Sequence, residues 1–360
     1  MNAQGIEIPG IAYPVWIGDD AGVREEYAAL LVGRDVLIVS DGNVAGHHLA
    51  PLREASGGAA RVETLVLPAG EGEKTLGGLE RILDALVVGG FHRDALVVAL
   101  GGGVVSDLAG FAAACYQRGV DWIAVATTLL AQVDAAIGGK TAVNHRAGKN
   151  LVGAFHDPVA VWADPARLAT LPEREYLAGF GEVVKYGLGF DAEFFAWLET
   201  NRSALLHRDT TALAHAIRRC ARCKLELVAA DPRERGRRIL LNLGHSFGHA
   251  LEAVLGYGTW LHGEAVAAGL VAAAELSCAR GRLPAEVPPR LRRLLQTFRL
   301  PTEIPGEADE ASLLAALALD KKIAAGRLRF VGLEALGRAA VWEDVGAGEI
   351  TRVLRRLRSG

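Results

Sequence analysis

The sequence predicts an α/β domain with a Rossmann-like parallel sheet over residues 1–170 and a mainly α-helical domain over residues 171–360. In the first half, short apolar runs rich in β-branched residues alternate with helical stretches, which is typical of a parallel sheet covered by helices. Beyond Leu171 the strand signal nearly disappears, and helical periodicity in Ala, Leu and Arg dominates. The chain, at 360 residues, is also long enough for two hydrophobic cores.

In the first half, apolar runs predict buried strands with the sequences VLIVSD (36–41), VETLVLP (62–68), ALVVAL (95–100) and WIAVA (122–126). The stretches between them predict helices over residues 76–90 and 107–119.

In the second half, periodic segments predict helices over residues 193–206, 212–230, 263–281, 288–298 and 311–322. The run RLRFVGLEALG (327–337) predicts a small strand or hairpin. The cysteines lie in segments of helical character, so we expect reduced thiols: Cys115, Cys220, Cys223 and Cys278.

Composition excludes several classes of protein. The net charge of −3 argues against nucleic acid or an anionic membrane as the main partner. No apolar run approaches the roughly 20 residues that span a bilayer. The first ten residues, MNAQGIEIPG, lack the features of a signal peptide. We therefore expect a cytoplasmic, globular enzyme.

Three histidines and one glutamate predict a catalytic metal site. His245 and His249 are four residues apart, so on a helix both rings project from one face, and His262 follows a Gly-Tyr-Gly turn. Glu182 lies in an apolar helical segment, where an unpaired charge is costly. Two histidines and a distant carboxylate leave a fourth position open, as in catalytic zinc sites. Spacing alone favours His245 with His249 as the pair.

A glycine turn, GGGVVSDLAG, leads from the strand at 95–100 into a helix and predicts a nucleotide phosphate site. Gly101, Gly103 and Ser106 only approximate the dinucleotide fingerprint. Asp41 ends the first strand and is a candidate ribose or adenine partner, and Glu71 and Lys74 follow the second.

A later segment predicts a cradle for a small phosphorylated anion. Asp134, Lys140, Lys149 and Asn150 are expected close together in a glycine-rich turn. Only seven of the 39 basic residues are lysines. In a chain so rich in arginine, each retained lysine suggests a need for a compact point charge.

Taken in order, these motifs strongly resemble the 3-dehydroquinate synthase family over nearly the whole chain: EGEKT, GGGVVSDLAGFAAACYQRG, TTLLAQVDAAIGGKTAVN, GKNLVGAF, TLPEREYLAGFGEVVKYG, NLGHSFGHALE, LHGEAVAAG and LDKK. The resemblance implies an NAD-dependent and zinc-dependent homodimer of the shikimate pathway, with Co²⁺ as a substitute for Zn²⁺. It implies conversion of 3-deoxy-D-arabino-heptulosonate 7-phosphate to 3-dehydroquinate and phosphate. The implied steps are transient oxidation by NAD, phosphate elimination, re-reduction and intramolecular aldol closure.

The resemblance also implies roles for individual residues. The implied metal ligands are Glu182, His245 and His262, which leaves His249 beside the substrate phosphate. The implied NAD contacts are Asp41, Glu71, Lys74, Gly103, Val104, Asp107, Thr127, Thr128, Lys140, Lys149, Leu168 and Thr170. The implied substrate contacts are Asp134, Lys224, Arg238, Asn242 and Lys321, with Lys322 as the alternative to Lys321. The implied catalytic set is Lys140, Asn150, Lys185, His249 and Arg118, of which Arg118 reaches the phosphate in the neighbouring subunit.

Small departures from the family pattern keep other functions open. Ala126 replaces a common proline, Ala135 and Ala136 replace a common Ser-Ser pair, and Ser246 replaces threonine. A sibling sugar phosphate cyclase is one alternative. An NAD-dependent and metal-dependent polyol dehydrogenase and a non-catalytic nucleotide-binding protein are the others.

Overall fold

The computed structural model describes residues 4–319, 323–324, 327–328 and 330–358. Within these, the chain divides into two compact units. The first comprises residues up to Pro172 together with Leu213–Arg233, and the second comprises Glu173–Ala212 and the residues from Glu234 onward. The segment Leu213–Arg233 therefore belongs to the first unit, although the sequence boundary at residue 170 assigned it to the helical domain.

The first unit contains the following strands and helices: β1 (Gln4–Ile6), β2 (Val15–Ile17), α1 (Asp20–Leu31), β3 (Asp35–Asp41), α2 (Ala45–Ala55), β4 (Arg61–Leu67), α3 (Leu76–Val88), β5 (Leu96–Gly101), α4 (Gly103–Cys115), β6 (Asp121–Ala126), β7 (Lys140–His145), β8 (Gly148–Phe155) and β9 (Ala160–Ala163). In the described part of the chain, seven strands form one sheet in the order β1-β2-β9-β6-β5-β3-β4. All its pairings are parallel except β1 with β2.

The strand order creates a topological switch point. After β3 the chain moves outward to β4 and then returns to the other side of β3 as β5. Ligands of such sheets bind outside the carboxyl ends of the strands at this point. Asp41 and Gly101 end β3 and β5 there. The central strands are buried on both faces, which explains their continuous apolar sequences.

The four predicted strands are confirmed to within one residue at each end. The prediction of a glycine-rich turn after β6 is wrong, because β7 and β8 form an antiparallel hairpin there. Gly153 lies inside β8, and a Cβ on it would meet the carbonyl oxygen of Thr141 at 2.1 Å. The lack of a Cβ at Gly153 therefore allows β7 and β8 to pair closely, and this glycine does not form a turn.

The second unit contains α5 (Glu173–Phe190), α6 (Ala192–Leu206), the start of α7 (Thr210–Ala230), α8 (His245–Leu255), α9 (His262–Ala279), α10 (Val287–Thr297), α11 (Glu310–Leu319), β10 (Ile323–Ala324), β11 (Arg327–Leu328), β12 (Phe330–Ala335), β13 (Arg338–Trp342) and α12 (Ala347–Leu357). The predicted helices are confirmed within the described residues, and residues 320–322 of the helix predicted over 311–322 lie outside them. The predicted run at 327–337 contains β11 and β12, of which β12 pairs with β13. Helix α9 is buried along most of its length and packs against α5, α8, α10 and α12. Its Ala-, Gly- and Val-rich sequence suits a helix surrounded by others. Among the described residues, no helix combines the length and apolar character needed to cross a bilayer.

Candidate active-site residues

Helices α5 and α9 approach each other through two glycines. A Cβ on Gly181 would meet the carbonyl oxygen of Gly263 at 2.2 Å, and a Cβ on Gly263 would meet that of Ala178 at 1.8 Å. Larger residues cannot occupy either position without moving a backbone. Gly181 precedes Glu182 and Gly263 follows His262, so this close contact brings the two side chains together.

Glu182, His245 and His262 form a cluster, called here the histidine–glutamate cluster. The Glu182 side chain is 1% exposed, and its Oε1 lies 3.3 Å from His245 Nε2 and 3.5 Å from His262 Nε2. Ligands about 2.1 Å from a tetrahedral Zn²⁺ lie about 3.4 Å apart. Both distances match the spacing between two ligands of one zinc ion, and the potential ligand atoms of the three residues all lie within 4.8 Å of one another. The three residues could therefore hold one cation, with a further position left for a substrate oxygen.

Their surroundings shift the pKa values of the two histidines in opposite directions. Burial and then the nearby Lys185 cation lower the pKa of His245 well below its usual value. Its Nδ1 donates to Leu243 O at 3.1 Å, which leaves the Nε2 lone pair toward Glu182. Burial alone would lower the pKa of His262, but hydrogen bonds with Glu182 and Glu252 raise it to about 9. Since a metal binds an imidazole only at an unprotonated nitrogen, the lowered pKa favours metal binding by His245 and the raised pKa opposes it at His262.

His249 lies one turn after His245 on α8, with its ring centroid 5.5 Å from that of His245 and 6.0 Å from that of His262. The His245–His249 pairing that spacing favoured does not describe the cluster around Glu182. His249 instead groups with Glu252 and His262, whose potential ligand atoms all lie within 4.8 Å of one another.

Three other predicted residues of the second unit are wholly or partly buried. Lys185 is 1% exposed and forms an ion pair with Glu182, which offsets the cost of burying that carboxylate. Arg238 is 1% exposed, and Asn242 Nδ2 donates to Glu234 at 3.0 Å. Lys321 and its alternative Lys322 lie outside the described residues.

The first unit contains a second polar cluster, called here the lysine network: Glu71, Lys74, Asp107, Asn144 and Asn150. Lys74 forms an ion pair with Asp107 and donates to Asn150 Oδ1 at 2.6 Å. Burial raises the pKa of Asp107, and the Lys74 cation opposes this rise. Asn144 donates to Glu71 at 2.7 Å and accepts from Asn150 N at 3.0 Å. Its own N–H donates to Lys74 O at 2.8 Å, so one asparagine joins the loop after β4 to the β7–β8 hairpin.

Asp134 and Lys224 form an ion pair within the first unit. Lys224 also donates to Asp134 O at 2.7 Å. Asp134 lies in a short π-helical turn over Ala131–Ala135, an irregularity frequent at functional sites. This contact links α7 to the turn after β6, and both residues lie in the first unit.

Lys140 is not close to Asn150, contrary to the expectation of one common turn. Lys140 pairs with Phe155 at one end of the hairpin, so roughly 16 Å of strand separates that pair from Asn150. Lys149 and Asn150 lie near the opposite end, and Asn150 has a left-handed φ of 55°. Arg118 is exposed after α4, with a φ of 70°.

The carboxyl ends of β5 and β6 offer a cradle for a dinucleotide. Thr127 is 3% exposed, and among the described residues its Oγ1 has no hydrogen-bond partner. Gly103 and Val104 form the first turn of α4, whose amides suit a phosphate. A Cβ on Gly102 would meet the Thr128 methyl at 2.9 Å, so the turn lies close to that side chain.

The remaining predicted cofactor contacts have structural partners. Asp41 Oδ1 accepts from Asn43 N and Val44 N at 2.9 and 3.1 Å. Thr170 Oγ1 lies 2.8 Å from His48 Nε2, and Leu168 is fully buried. Asp41 and Thr170 thus shape their loops as well as being candidates for contact with a ligand.

Two residues of these clusters were missed by the sequence reasoning. Asn144 and Glu252 both lie inside quoted motifs, in GGKTAVN and NLGHSFGHALE. A signal existed for Glu252, because it lies on the apolar face of α8, seven residues after His245. Its role depends on a partner ten residues away, which spacing does not predict.

Comparison with known proteins supports one family over nearly the whole chain. The family model described as 3-dehydroquinate synthase N-terminal matches residues 64–178. The family model described as 3-dehydroquinate synthase C-terminal matches residues 179–323. A relative named 3-dehydroquinate synthase, from Halorhodospira halophila, is 51% identical over 98% of this chain and 99% of its own.

Two solved structures of related cyclases are similar in fold. ValA, a 2-epi-5-epi-valiolone synthase from Streptomyces hygroscopicus with NAD⁺ and Zn²⁺ bound, has a TM-score of 0.89 at 29% identity, covering 98% of this chain and 99% of that one. A 2-deoxy-scyllo-inosose synthase complexed with carbaglucose-6-phosphate, NAD⁺ and Co²⁺ has a TM-score of 0.88 at 27% identity, covering 99% and 100%. Since the family models cover adjoining segments and the relative matches almost end to end, the chain belongs to the 3-dehydroquinate synthase family.

Proposed function

We propose that this chain converts 3-deoxy-D-arabino-heptulosonate 7-phosphate to 3-dehydroquinate and inorganic phosphate. The reaction is a phosphate-eliminating ring closure, which makes the enzyme a carbon–oxygen lyase. The cofactors are NAD and a divalent cation, Zn²⁺ with Co²⁺ as a substitute. The family membership and the cofactors bound by ValA and the inosose synthase support this proposal.

The observation that carries the proposal is the histidine–glutamate cluster. A buried carboxylate oxygen lies 3.3 and 3.5 Å from two imidazole nitrogens, which matches the spacing between two ligands of a tetrahedral ion. Glu182, His245 and His262 are the residues that would hold the cation.

When bound, the cation would polarise neighbouring hydroxyls of the substrate, and NAD would take a hydride from one carbon and return it, so that no net oxidation remains. The transient ketone acidifies the adjacent C–H, and phosphate leaves by elimination. In this scheme the protein contributes position and charge. Lys185, Asn150, Lys140 and His249 are assigned to the reacting substrate, with Asp134, Lys224, Arg238 and Asn242 around it.

Three residues of the lysine network, Glu71, Lys74 and Asp107, are assigned to NAD, together with Asp41, Gly103, Val104, Thr127, Thr128, Lys140, Lys149, Leu168 and Thr170. The buried Thr127 hydroxyl supports this assignment. So do the amides in the first turn of α4, which no side chain caps. A homodimer in which Arg118 reaches the partner's substrate, and a cytoplasmic location, complete the proposal on the basis of the family resemblance.

The test is phosphate release from the heptulosonate phosphate with NAD in catalytic amount, with and without a chelator. We expect stoichiometric phosphate and dehydroquinate, no lasting absorbance from reduced NAD, and loss of activity with chelator. A continuing stoichiometric rise in reduced NAD on a polyol would identify a dehydrogenase instead. Phosphate release from a hexose 6-phosphate, without turnover of the heptulosonate, would identify a sibling cyclase.

A further inference from the structure

Glu252 is a buried carboxylate that the proposed mechanism does not use. Its side chain is 2% exposed, and it lies on α8, two turns after His245. A buried charge is costly unless a specific partner compensates it. Its Oε2 lies 3.3 Å from His262 Nδ1, so one partner of this carboxylate is a member of the histidine–glutamate cluster.

The two ring nitrogens of His262 have different neighbours. Nε2 lies 3.5 Å from Glu182 Oε1, on the side where the cation would bind. Nδ1 lies against Glu252. If Nδ1–H donates to Glu252, the lone pair is fixed on Nε2 and the ring is held in one orientation.

The His245 ring is oriented in the same way, but by a backbone carbonyl instead of a carboxylate. Its Nδ1 donates to the backbone carbonyl of Leu243, and its Nε2 also points toward Glu182. In both imidazoles, Nδ1 therefore has a hydrogen-bond partner and Nε2 remains available for the cation. A carboxylate acceptor adds negative charge, which increases the basicity of the ring it supports.

We propose that Glu252 is a positioning residue that orients His262 and fixes its Nε2 lone pair toward the divalent cation. This inference rests on the proposed function, because it requires the cation site formed by Glu182, His245 and His262. In this arrangement Glu252 would act on the cation through His262 rather than as a ligand. His262 begins α9 and is 32% exposed, so its ring needs such a support more than the buried His245 does.

The test measures metal binding by the full-length, metal-stripped protein with Zn²⁺ alone, in competition with a chromophoric chelator. Glu252→Gln keeps the shape of the side chain and removes its charge. We expect the Kd for Zn²⁺ to rise about 10- to 100-fold and the visible spectrum of the Co²⁺ form to shift. Glu252→Asp, which keeps the charge but shortens the reach, should weaken binding less and covers the case in which Glu252→Gln does not fold.

Glu275→Gln is the matched control. Glu275 lies on the same helix as His262, thirteen residues further on, and pairs with Arg292 at 3.0 Å. That spacing corresponds to about 20 Å along the helix. We expect its Kd for Zn²⁺ and its Co²⁺ spectrum to match those of the wild type.

Nitrogen-15 spectra of the histidine side chains give a readout independent of activity. In the zinc-loaded wild type, His262 should carry its proton on Nδ1, and Glu252→Gln should weaken or redistribute that signal. An unchanged Kd and Co²⁺ spectrum in Glu252→Gln would overturn the proposal. Two zinc ions per wild-type chain, reduced to one by Glu252→Gln, would also overturn it by making Glu252 a ligand together with His249.

His262→Ala separates this inference from the proposed function. If His262→Ala loses zinc and Glu252→Gln does not, only the positioning role is wrong. If neither variant loses zinc, the proposed cation site itself is wrong.

Discussion

The histidine–glutamate cluster and the lysine network are built in different ways. The cluster depends on backbone contacts between helices, in which Gly181 and Gly263 allow α5 and α9 to touch. The network depends on side-chain hydrogen bonds between a loop, a helix and a hairpin, joined by Asn144. A coordination sphere tolerates errors of only a few tenths of an ångström, so rigid helix packing suits it. A cradle for a flexible cofactor tolerates more movement, but its buried charges must balance.

Removing one ligand from the cluster should have the largest effect. We expect His262→Ala to lose the metal on dialysis and to reduce turnover by about 10³-fold or more, because several kcal/mol of charge stabilisation disappear. His249→Ala should lower turnover but retain the metal, since its ring is not grouped with Glu182. Metal content by elemental analysis distinguishes the two variants. Equal metal loss in both would contradict the separate roles given to these histidines.

The histidine–glutamate cluster and the lysine network also differ in how much of each the sequence predicts. The helices and central strands were predicted because their apolar periodicity is strong and local. Glu182, His245 and His262 were singled out because they are unusual residues in such segments, but spacing paired His245 with His249, and only the family resemblance selected His262 instead. Strand β9 was missed since its four residues, all buried, are too few to show a period.

Contacts between distant segments were not predictable in the same way. The β7–β8 segment was predicted as a turn because it is rich in glycine, but Gly153 serves close strand pairing, which only the partner strand reveals. The helix predicted over residues 212–230 is confirmed as α7, but the sequence does not indicate the ion pair of Lys224 with Asp134, which lies within the first unit. Asn144 and Glu252 likewise act through partners that spacing does not indicate.

Moving the cluster's backbone should have the next largest effect. Gly263→Ala places a Cβ 1.8 Å from Ala178 O, so α9 must move away from α5, at a cost of about 3 kcal/mol. The ligand spacing then changes, and we expect zinc affinity to fall about 10-fold or more although every ligand is retained. Gly306→Ala is the control, because nothing lies within 4 Å of its Cβ position. Zinc affinity and the thermal unfolding midpoint test this, and equal results for both variants would show that the glycine contact does not position the cluster.

Unbalancing the charges of the lysine network should have the smallest of these effects, and one that depends on pH. Lys74→Met leaves Asp107 without its ion-pair partner. We expect a loss of about 2 kcal/mol at pH 8, below the range for fully buried pairs, because the Asp107 side chain is 17% exposed.

The sign of the pH dependence follows from the pKa of Asp107. Burial raises that pKa and Lys74 opposes the rise, so the variant should have a still higher pKa in the folded state. A folded-state pKa above the unfolded value makes stability fall as pH rises through that interval. The deficit of Lys74→Met in urea midpoint should therefore be larger at pH 8 than at pH 5, where more of the carboxyl is protonated. Adding Asp107→Asn should recover most of it, while Arg24→Met, which breaks a pair with Glu54 in which both side chains are exposed, should cost less than about 0.5 kcal/mol at both pH values. A deficit independent of pH would mean that Lys74 stabilises the network by packing and hydrogen bonding to Asn150 rather than by neutralising Asp107.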